Sequence, residues 1–409
     1  MPSTVCVSCK RLVCPGGRVK EGNFHILIRN ETITEILDKA DFQPESVDHH
    51  YTADIVTPGF IDIHNHGVGR TEGPDGLDLD KYWKYPEYPQ KLFPKLGVTS
   101  FLATMVLPKD NKKSETFEII QTLEIIIGKP GNGAICEGIH AEGPIVNDLG
   151  GLPESDNEMD ITEFTRLLDS MPSCKVMTIS PHVDRKSDYQ RIKLLHERGI
   201  VPSLGHDKIA TEDDILGALQ TDPSVQFHIT HIFNVCTFHH RNPSLVNFGL
   251  TEVFPKLDKY SGLTPPSVEV IGDMRHVHPL TISTLLKTRS INNVAFISDC
   301  TAESNPGKKV KYCGRDVEVS ADGKCLYLSG SETIAGSCCS VKDAFHSLVE
   351  TLGLNIGEAV AMVTETPARI AKLDHIGKIE VNKRADLLLF DSELNLQKTI
   401  VAGQLVYSA

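Results

Sequence analysis

Short apolar runs recur along the chain, separated by segments with a different rhythm. The runs are FIDIH (60–64), TSFLATM (99–105), AICEGIHAEG (134–143), KVMTIS (175–180), IVPSLGH (200–206), QFHITH (226–231), SVEVIGD (267–273) and VAFISD (294–299). Each has the length and β-branched content of a buried strand. Between them, DYQRIKLLHERG (188–199) and TEDDILGALQ (211–220) carry apolar residues at helical spacing, the first closed by Gly199. Eight strand candidates alternating with helices predict a parallel (β/α)8 barrel. An open doubly wound sheet is the other architecture with this rhythm. It is disfavoured because no glycine-rich dinucleotide fingerprint follows the first strand.

The two ends of the chain read differently. NFHILIRNETITEIL (23–37) alternates, turns at Arg29-Asn30-Glu31 and alternates again, as a hairpin does. Residues 377–409 have the same character, with a turn near Ala402-Gly403. The predicted fold class is therefore α/β: a TIM-like barrel over residues 57–376, with a small β-sandwich domain built from residues 1–56 and 377–409. No internal repeat or low-complexity linker interrupts this plan.

Composition narrows the setting. The chain has 409 residues, 40% hydrophobic and 23% charged, with a formal net charge of −13. That is an ordinary globular balance, and the negative sign argues against a nucleic-acid partner. An anionic small molecule stays compatible, because binding follows the local field. No run of about 18 apolar residues predicts a membrane span, and MPSTVCVSCKRLVCPGG lacks a long apolar secretory core. A cytoplasmic protein with eleven reduced cysteines is expected. Cys6, Cys9 and Cys14 sit in a strand-like segment with no second ligand pair close by, and Cys338-Cys339 reads as packing.

The candidate chemistry lies at the ends of the apolar runs. The first closes on His64 and His66, which share one strand face at roughly 7 Å between Cα atoms. Alone, that pair suits either a shared metal or two solvated loop histidines. The third run ends in Glu142, the fifth in His206, the sixth in His231, the seventh in Asp273 with His276 just beyond, and the eighth in Asp299. In a barrel these ends meet at one face. Imidazole and carboxylate converging there suit zinc or a similar divalent ion. The chemistry that follows is metal-assisted hydrolysis, with Asp299 taking the proton of water and returning it to a leaving amine. His140 and His228, inside strands, read as hydrogen-bonded core or supporting residues. His49, His50, His196, His346 and His375 read as solvated.

On these residues the chain resembles the N-acetylglucosamine-6-phosphate deacetylase family of the amidohydrolase superfamily. The matching segments include PGFIDIHNHG (58–67), GIHAEGPIV (138–146), SLGH (203–206), THIFNVCTFHHRNPSLV (230–246), GDMRHVHP (272–279), ISDC (297–300) and GKIEVNKRADLLLFD (377–391), in family order along nearly the whole chain. HAEGP and THIFN with FHHR are the specific ones. The resemblance implies that Glu142, His206 and His231 hold the principal metal. It implies that His64 and His66 offer a second seat with Glu142 bridging, so one or two ions are expected. It assigns Asp299 as general acid/base, and Asn234, the backbone N–H of Val235, Arg241 and His276 as the grip on a sugar phosphate. Part of that grip can come from a neighbouring subunit in the family, so a homodimer is expected. The implied reaction converts N-acetylglucosamine 6-phosphate and water to glucosamine 6-phosphate and acetate. One departure stands out. Where the family carries a Gly-Ala-His element that contacts the acetyl group, this chain reads IVNDLGGLPESD (145–156), without histidine.

Three other readings fit less well. A cyclic amidohydrolase usually bridges two metals with a carboxylated lysine ending strand four, and here Lys175 opens that strand. A deaminase has no use for Asn234, Arg241 and His276 as anion ligands. A non-catalytic barrel scaffold should have lost ligands, and none is missing.

Overall fold

The computed structural model describes residues 3–40, 42, 44, 47–69, 79–109, 113–312 and 314–409, without the side chains of Asp80, Lys113 and Ser114. All eight runs are strands of one parallel sheet: β1 Phe60–Asp62, β2 Val98–Val106, β3 Ile135–Glu142, β4 Cys174–Ile179, β5 Val201–Leu204, β6 His228–Ile229, β7 Ser267–Ile271 and β8 Val294–Ile297. Neighbours pair in sequence order. The sheet closes just past the ends of β8 and β1, where the Asp299 N–H donates to His64 O at 2.9 Å and the His66 N–H to Cys300 O at 2.7 Å. Helices cover the outside, so the strands are buried on both faces, which is why they read as continuous apolar runs.

The helices obey their local signals. Glu212–Leu219 begins at a capping box in which Thr211 and Asp214 satisfy each other's backbone N–H groups. Gln190–Glu197 is followed by Gly199 at φ +71°, a left-handed position that glycine takes without strain.

Both chain ends meet in one seven-stranded sheet. Thr4–Cys14 pairs with Arg18–Arg29 on one side and with His49–Pro58 on the other, and Leu387–Phe390 joins the free edge of His49–Pro58. The hairpin at 29–31 forms with Asn30 at φ +54°, and the second turn with Ala402 at +48° and Gly403 at +76°. One face packs a core of Val5, Val7, Phe24, Ile26, Ile33, Val56, Leu387, Leu389 and Ile400. Cys6, Cys9 and Cys14 lie in the first of these strands, and the ten described cysteines are free; Cys313 lies outside the described residues.

A third sheet was not foreseen. Lys309–Tyr312, Arg315–Val319, Cys325–Leu328 and Ile334–Ser337 form an antiparallel meander inserted after β8. Its strands are short and half exposed, so no buried apolar run announces them. The Cys300–Ser337 bridge ties it to the end of β8.

Arg384 fastens the C-terminal segment to the barrel. Its Nη2 lies 2.7 Å from both Glu137 Oε1 and Asp386 Oδ2 and donates to Ser100 Oγ at 2.5 Å. Burial alone would raise the Glu137 pKa, but His375 and Arg384 outweigh it and hold the carboxyl below its usual range. A depressed carboxyl contributes stability above its unfolded value, and that contribution is lost as pH falls through the folded value. Arg384→Met leaves two buried carboxylates without their cation and is expected to cost about 3–5 kcal/mol, read as a lowered denaturation midpoint. Glu137→Gln should flatten the acid limb of the stability profile below about pH 4.5. A wild-type midpoint in Arg384→Met refutes this fastening role.

Candidate active site

The polar strand ends converge at the mouth of the barrel. Glu142 Oε1, at the end of β3, lies 2.9 Å from His206 Nε2, 3.2 Å from His231 Nε2 and 3.5 Å from His64 Nε2. Glu142 Oε2 lies 3.1 Å from His66 Nε2, and Asp299 Oδ1 lies 3.3 Å from His66 Nε2 and 3.6 Å from His64 Nε2. The chain thus brings together His64, His66, Glu142, His206, His231 and Asp299, all buried.

Two overlapping triads of ligand atoms share Glu142: one with His64 and His66, one with His206 and His231. Their chemistry fits a divalent cation. His64 Nε2 and Glu142 Oε2 are buried without a hydrogen-bond partner, and the Nε2 atoms of His206 and His231 face each other at 3.1 Å. Two imidazole nitrogens this close are poorly matched unless something electrophilic lies between them and the carboxylate. Neutral imidazoles and carboxylates are the usual donors for such ions.

The orientation of these rings is set one layer down. His64 Nδ1 donates to Glu269 Oε1 at 2.6 Å, leaving Nε2 to point at Glu142. Glu269 Oε2 also lies 3.1 Å from His228 Nε2, and His228 Nδ1 lies 2.9 Å from Ser267 Oγ. His206 Nδ1 donates to Asp148 O at 2.7 Å. His140 is a supporting residue: Nδ1 donates to Ile63 O at 2.9 Å and Nε2 meets Thr178 Oγ1 at 3.0 Å. Between the paired histidines, Asn65 donates to Leu102 O at 2.9 Å, and its N–H reaches Thr104 Oγ1, also at 2.9 Å. Such partners fix both tautomer and ring direction at metal sites.

Electrostatics follow the same layout. Burial works against charge on every group here. For Glu142 it is outweighed by His64, His206 and His231, which hold the carboxyl well below its ordinary range. For Asp299 burial is outweighed by His66 and His64, so this group stays a carboxylate. The His66 imidazole, desolvated but beside Asp299 and Glu142, is raised to about 9. His140 is pushed down to about 3 by burial and by the neighbouring His64, against the weaker pull of Glu269 and Glu142. Below the ring, Asp62 is raised to about 7 by burial while it accepts from Ser298 Oγ at 2.6 Å.

Several residues here hold left-handed backbone despite their side chains: His206 (φ +50°), His231 (+24°), Val235 (+51°) and Asp299 (+46°). Such conformations cost about 1–3 kcal/mol each and persist where surrounding structure imposes them. They aim these side chains and N–H groups back across the strand ends.

A cavity of about 280 Å³ opens above these residues. His66, Glu142, His206, His231 and Asp299 form its floor, and Asn234, Val235 and His276 stand on one wall. His276 Nδ1 donates to Asp273 Oδ2 at 2.6 Å, which orients its ring, and this carboxylate raises the imidazole pKa against its burial. Arg241 is not brought to this cavity. It is exposed on the loop after β6, its backbone N–H bonded to His239 Nδ1. Arg275 pairs with Asp322 at the surface.

Sequence reading missed several participants. Glu269 lies inside β7 and had no strand-end position to mark it. Lys208, Gly150 to Leu152, Tyr312 and 333–336 also line the cavity, and all sit in loops or in the unforeseen meander. Arg315 of that meander donates to Leu152 O at 2.8 Å, pinning the segment that lacks the expected Gly-Ala-His element.

Comparison with known proteins places this site. A model of the amidohydrolase family matches residues 276–406, a span that includes His276 and Asp299. An N-acetylgalactosamine-6-phosphate deacetylase of Escherichia coli O157:H7 is 29% identical over 86% of this chain and 88% of its own length. The human N-acetylglucosamine-6-phosphate deacetylase is 25% identical over 87% of this chain and 84% of its own. The fold is shared with the Mycobacterium smegmatis N-acetyl-D-glucosamine-6-phosphate deacetylase solved in complex with N-acetyl-D-glucosamine-6-phosphate, at a TM-score of 0.81 and 23% identity over 99% of this chain and 100% of that one. The chain, an eight-stranded barrel with histidines and acids gathered at its mouth, is thus similar to the amidohydrolase family over 276–406 and to amino-sugar-phosphate deacetylases along most of its length.

Proposed function

We propose that the chain hydrolyses the acetamide of N-acetylglucosamine 6-phosphate, giving glucosamine 6-phosphate and acetate. The observation that carries this is the gathering of Glu142, His206, His231, His64 and His66 around one point beside Asp299, under a cavity walled by Asn234, Val235 and His276. The names of the relatives supply the substrate. The 29% identity to a galactosamine-6-phosphate deacetylase favours the 4-epimer as a second substrate.

Glu142, His206 and His231 would hold one divalent cation, with zinc the best match to two imidazoles and a carboxylate. His64 and His66 would complete a second seat that shares Glu142. Bound there, a divalent cation supplies Lewis acidity, polarising a carbonyl and making water a better nucleophile. Asp299, held as a carboxylate, takes a proton from the attacking water and passes it to the departing nitrogen. The water oxygen ends on the acyl carbon as that carbon parts from nitrogen. The side-chain amide of Asn234, the Val235 N–H and His276, oriented by Asp273, suit a phosphate dianion. Exposed Arg241 supports a homodimer in which it reaches a neighbouring copy's phosphate. Among the described residues no helix is long and apolar enough to cross a membrane, and a cytoplasmic setting agrees with the free cysteines.

Acetate release from a panel of acetylated amino sugars, with and without the 6-phosphate, tests the assignment; no turnover of any member rejects it. Asp299→Asn is expected to lower kcat by about 10²–10⁴ while still binding substrate, and near-normal turnover removes Asp299 from its role. Glu269→Gln should weaken cation binding about 10–100-fold in a chelator competition, because the His64 ring loses its negatively charged acceptor. Unchanged affinity contradicts the supporting role of Glu269. Arg241→Ala should raise KM for the phosphorylated sugar and leave the unphosphorylated one little changed; equal effects refute its phosphate role.

A further inference from the structure

A second chamber adjoins the first. Its volume is about 210 Å³, and it shares His66 and Tyr312 with the cavity above the ligands. The two rings meet edge to face with centroids 5.9 Å apart. Beyond them the chamber has an apolar part, Leu79, Trp83, Met105, Val106 and Ile119, and a charged part, Lys109, Glu154 and the Lys81–Glu115 ion pair at 3.2 Å. The Trp83 indole N–H is already satisfied by Thr104 O at 2.9 Å, so the ring offers an apolar face. Apart from His66, no residue of the proposed phosphate grip or metal seats lines this space.

Its position is informative. Lys208, Asn234, Val235 and His276 come from the segments after β5, β6 and β7, on one side of the mouth. The chamber is built from the segment after β1, the end of β2 and the segment after β3, on the opposite side. Glu142, His66 and Asp299 lie between. An N-acyl amino sugar has the same polarity: sugar and phosphate extend from nitrogen, and the acyl chain extends from the carbonyl carbon. With the phosphate held on the β5–β7 side and the carbonyl at the ligands, the acyl chain runs toward β1–β3.

We infer that this chamber is an acyl site, and that the enzyme accepts N-acyl amino-sugar phosphates whose acyl chain is longer than acetyl. The inference rests on the hydrolase reading above and deepens it. The reaction is the same hydrolysis: water adds its oxygen to the acyl carbon, the C–N bond breaks, nitrogen takes the proton, and the products are a longer carboxylate and the amine. The apolar part of the lining suits an unbranched aliphatic chain, since Leu79, Trp83, Met105, Val106 and Ile119 present hydrocarbon, indole and thioether surface, and Lys81 and Glu115 are paired with each other.

The test is kcat/KM for N-acetyl-, N-butanoyl- and N-hexanoylglucosamine 6-phosphate, read as release of free amine by the metal-loaded enzyme. Burial of a methylene is worth up to about fourfold, so the butanoyl substrate should equal or exceed the acetyl one. Val106→Phe, which fills the chamber, should lower the butanoyl-to-acetyl ratio at least tenfold; Thr116→Phe, from another wall, is the second variant should the first not fold. A fall of a hundredfold or more from acetyl to butanoyl in the wild-type enzyme overturns the inference while leaving the deacetylase reading intact. An unchanged ratio in folded Val106→Phe or Thr116→Phe overturns the chamber as the acyl site. Failure of all three substrates rejects the underlying hydrolase reading itself.

Discussion

The Glu142 carboxylate is the centre on which the site is organised. It is buried, and a buried charge is tolerated only with compensation close at hand. Four imidazoles supply it, from the ends of β1, β5 and β6, at distances of 2.9 to 3.5 Å. A divalent cation would satisfy the same carboxylate more completely, because it replaces protons on rings already turned toward it. The metal seat and the electrostatic integrity of the barrel mouth are therefore one problem with one solution.

That solution extends inward. The barrel interior beneath the ligands is polar. Glu269 links His64 to His228, and His140, Thr178, Thr230 and Ser203 form a connected chain of hydrogen bonds, with Thr178 to Thr230 at 2.9 Å and Ser203 to Thr230 at 2.5 Å. Polar groups in such a place are stable only as a satisfied network, and a satisfied network is stiff. The left-handed backbone at His206, His231, Val235 and Asp299 can persist because this stiffness surrounds it. Rigid strands below and strained turns above give ligands that need little rearrangement to receive a cation or a substrate.

Above the ligands the mouth is divided. The meander after β8 contributes Tyr312 and residues 333–336 to the lining, and Tyr312 and His66 are shared by two adjoining chambers of different character. One wall offers amide, backbone and imidazole donors, and the other offers indole, thioether and aliphatic carbon beside charged residues. Loops determine this division, in keeping with the general habit of barrel enzymes to vary chemistry without altering the strands.

Sequence alone determined the barrel and most of the residues gathered at its mouth. Strands buried on both faces are mostly apolar, so a polar residue closing such a run is conspicuous, and His64, Glu142, His206, His231 and Asp299 were legible for that reason. The hairpin at 29–31, the turn at 402–403 and the helices at 190–197 and 212–219 followed from local turn and capping chemistry, which acts over a few residues. Tertiary structure alone decided the rest. Glu269 is one more residue inside β7 until folding sets it against His64, 205 positions away in the chain. Arg241 sits beside Asn234 in sequence, yet the loop carries it out to solvent and away from the cavity. The meander's half-exposed strands carry no periodic signal strong enough to read, though they roof the site. Local pattern reports which residues must be buried; which of them touch is settled by closure of the barrel, and no stretch of sequence encodes that by itself.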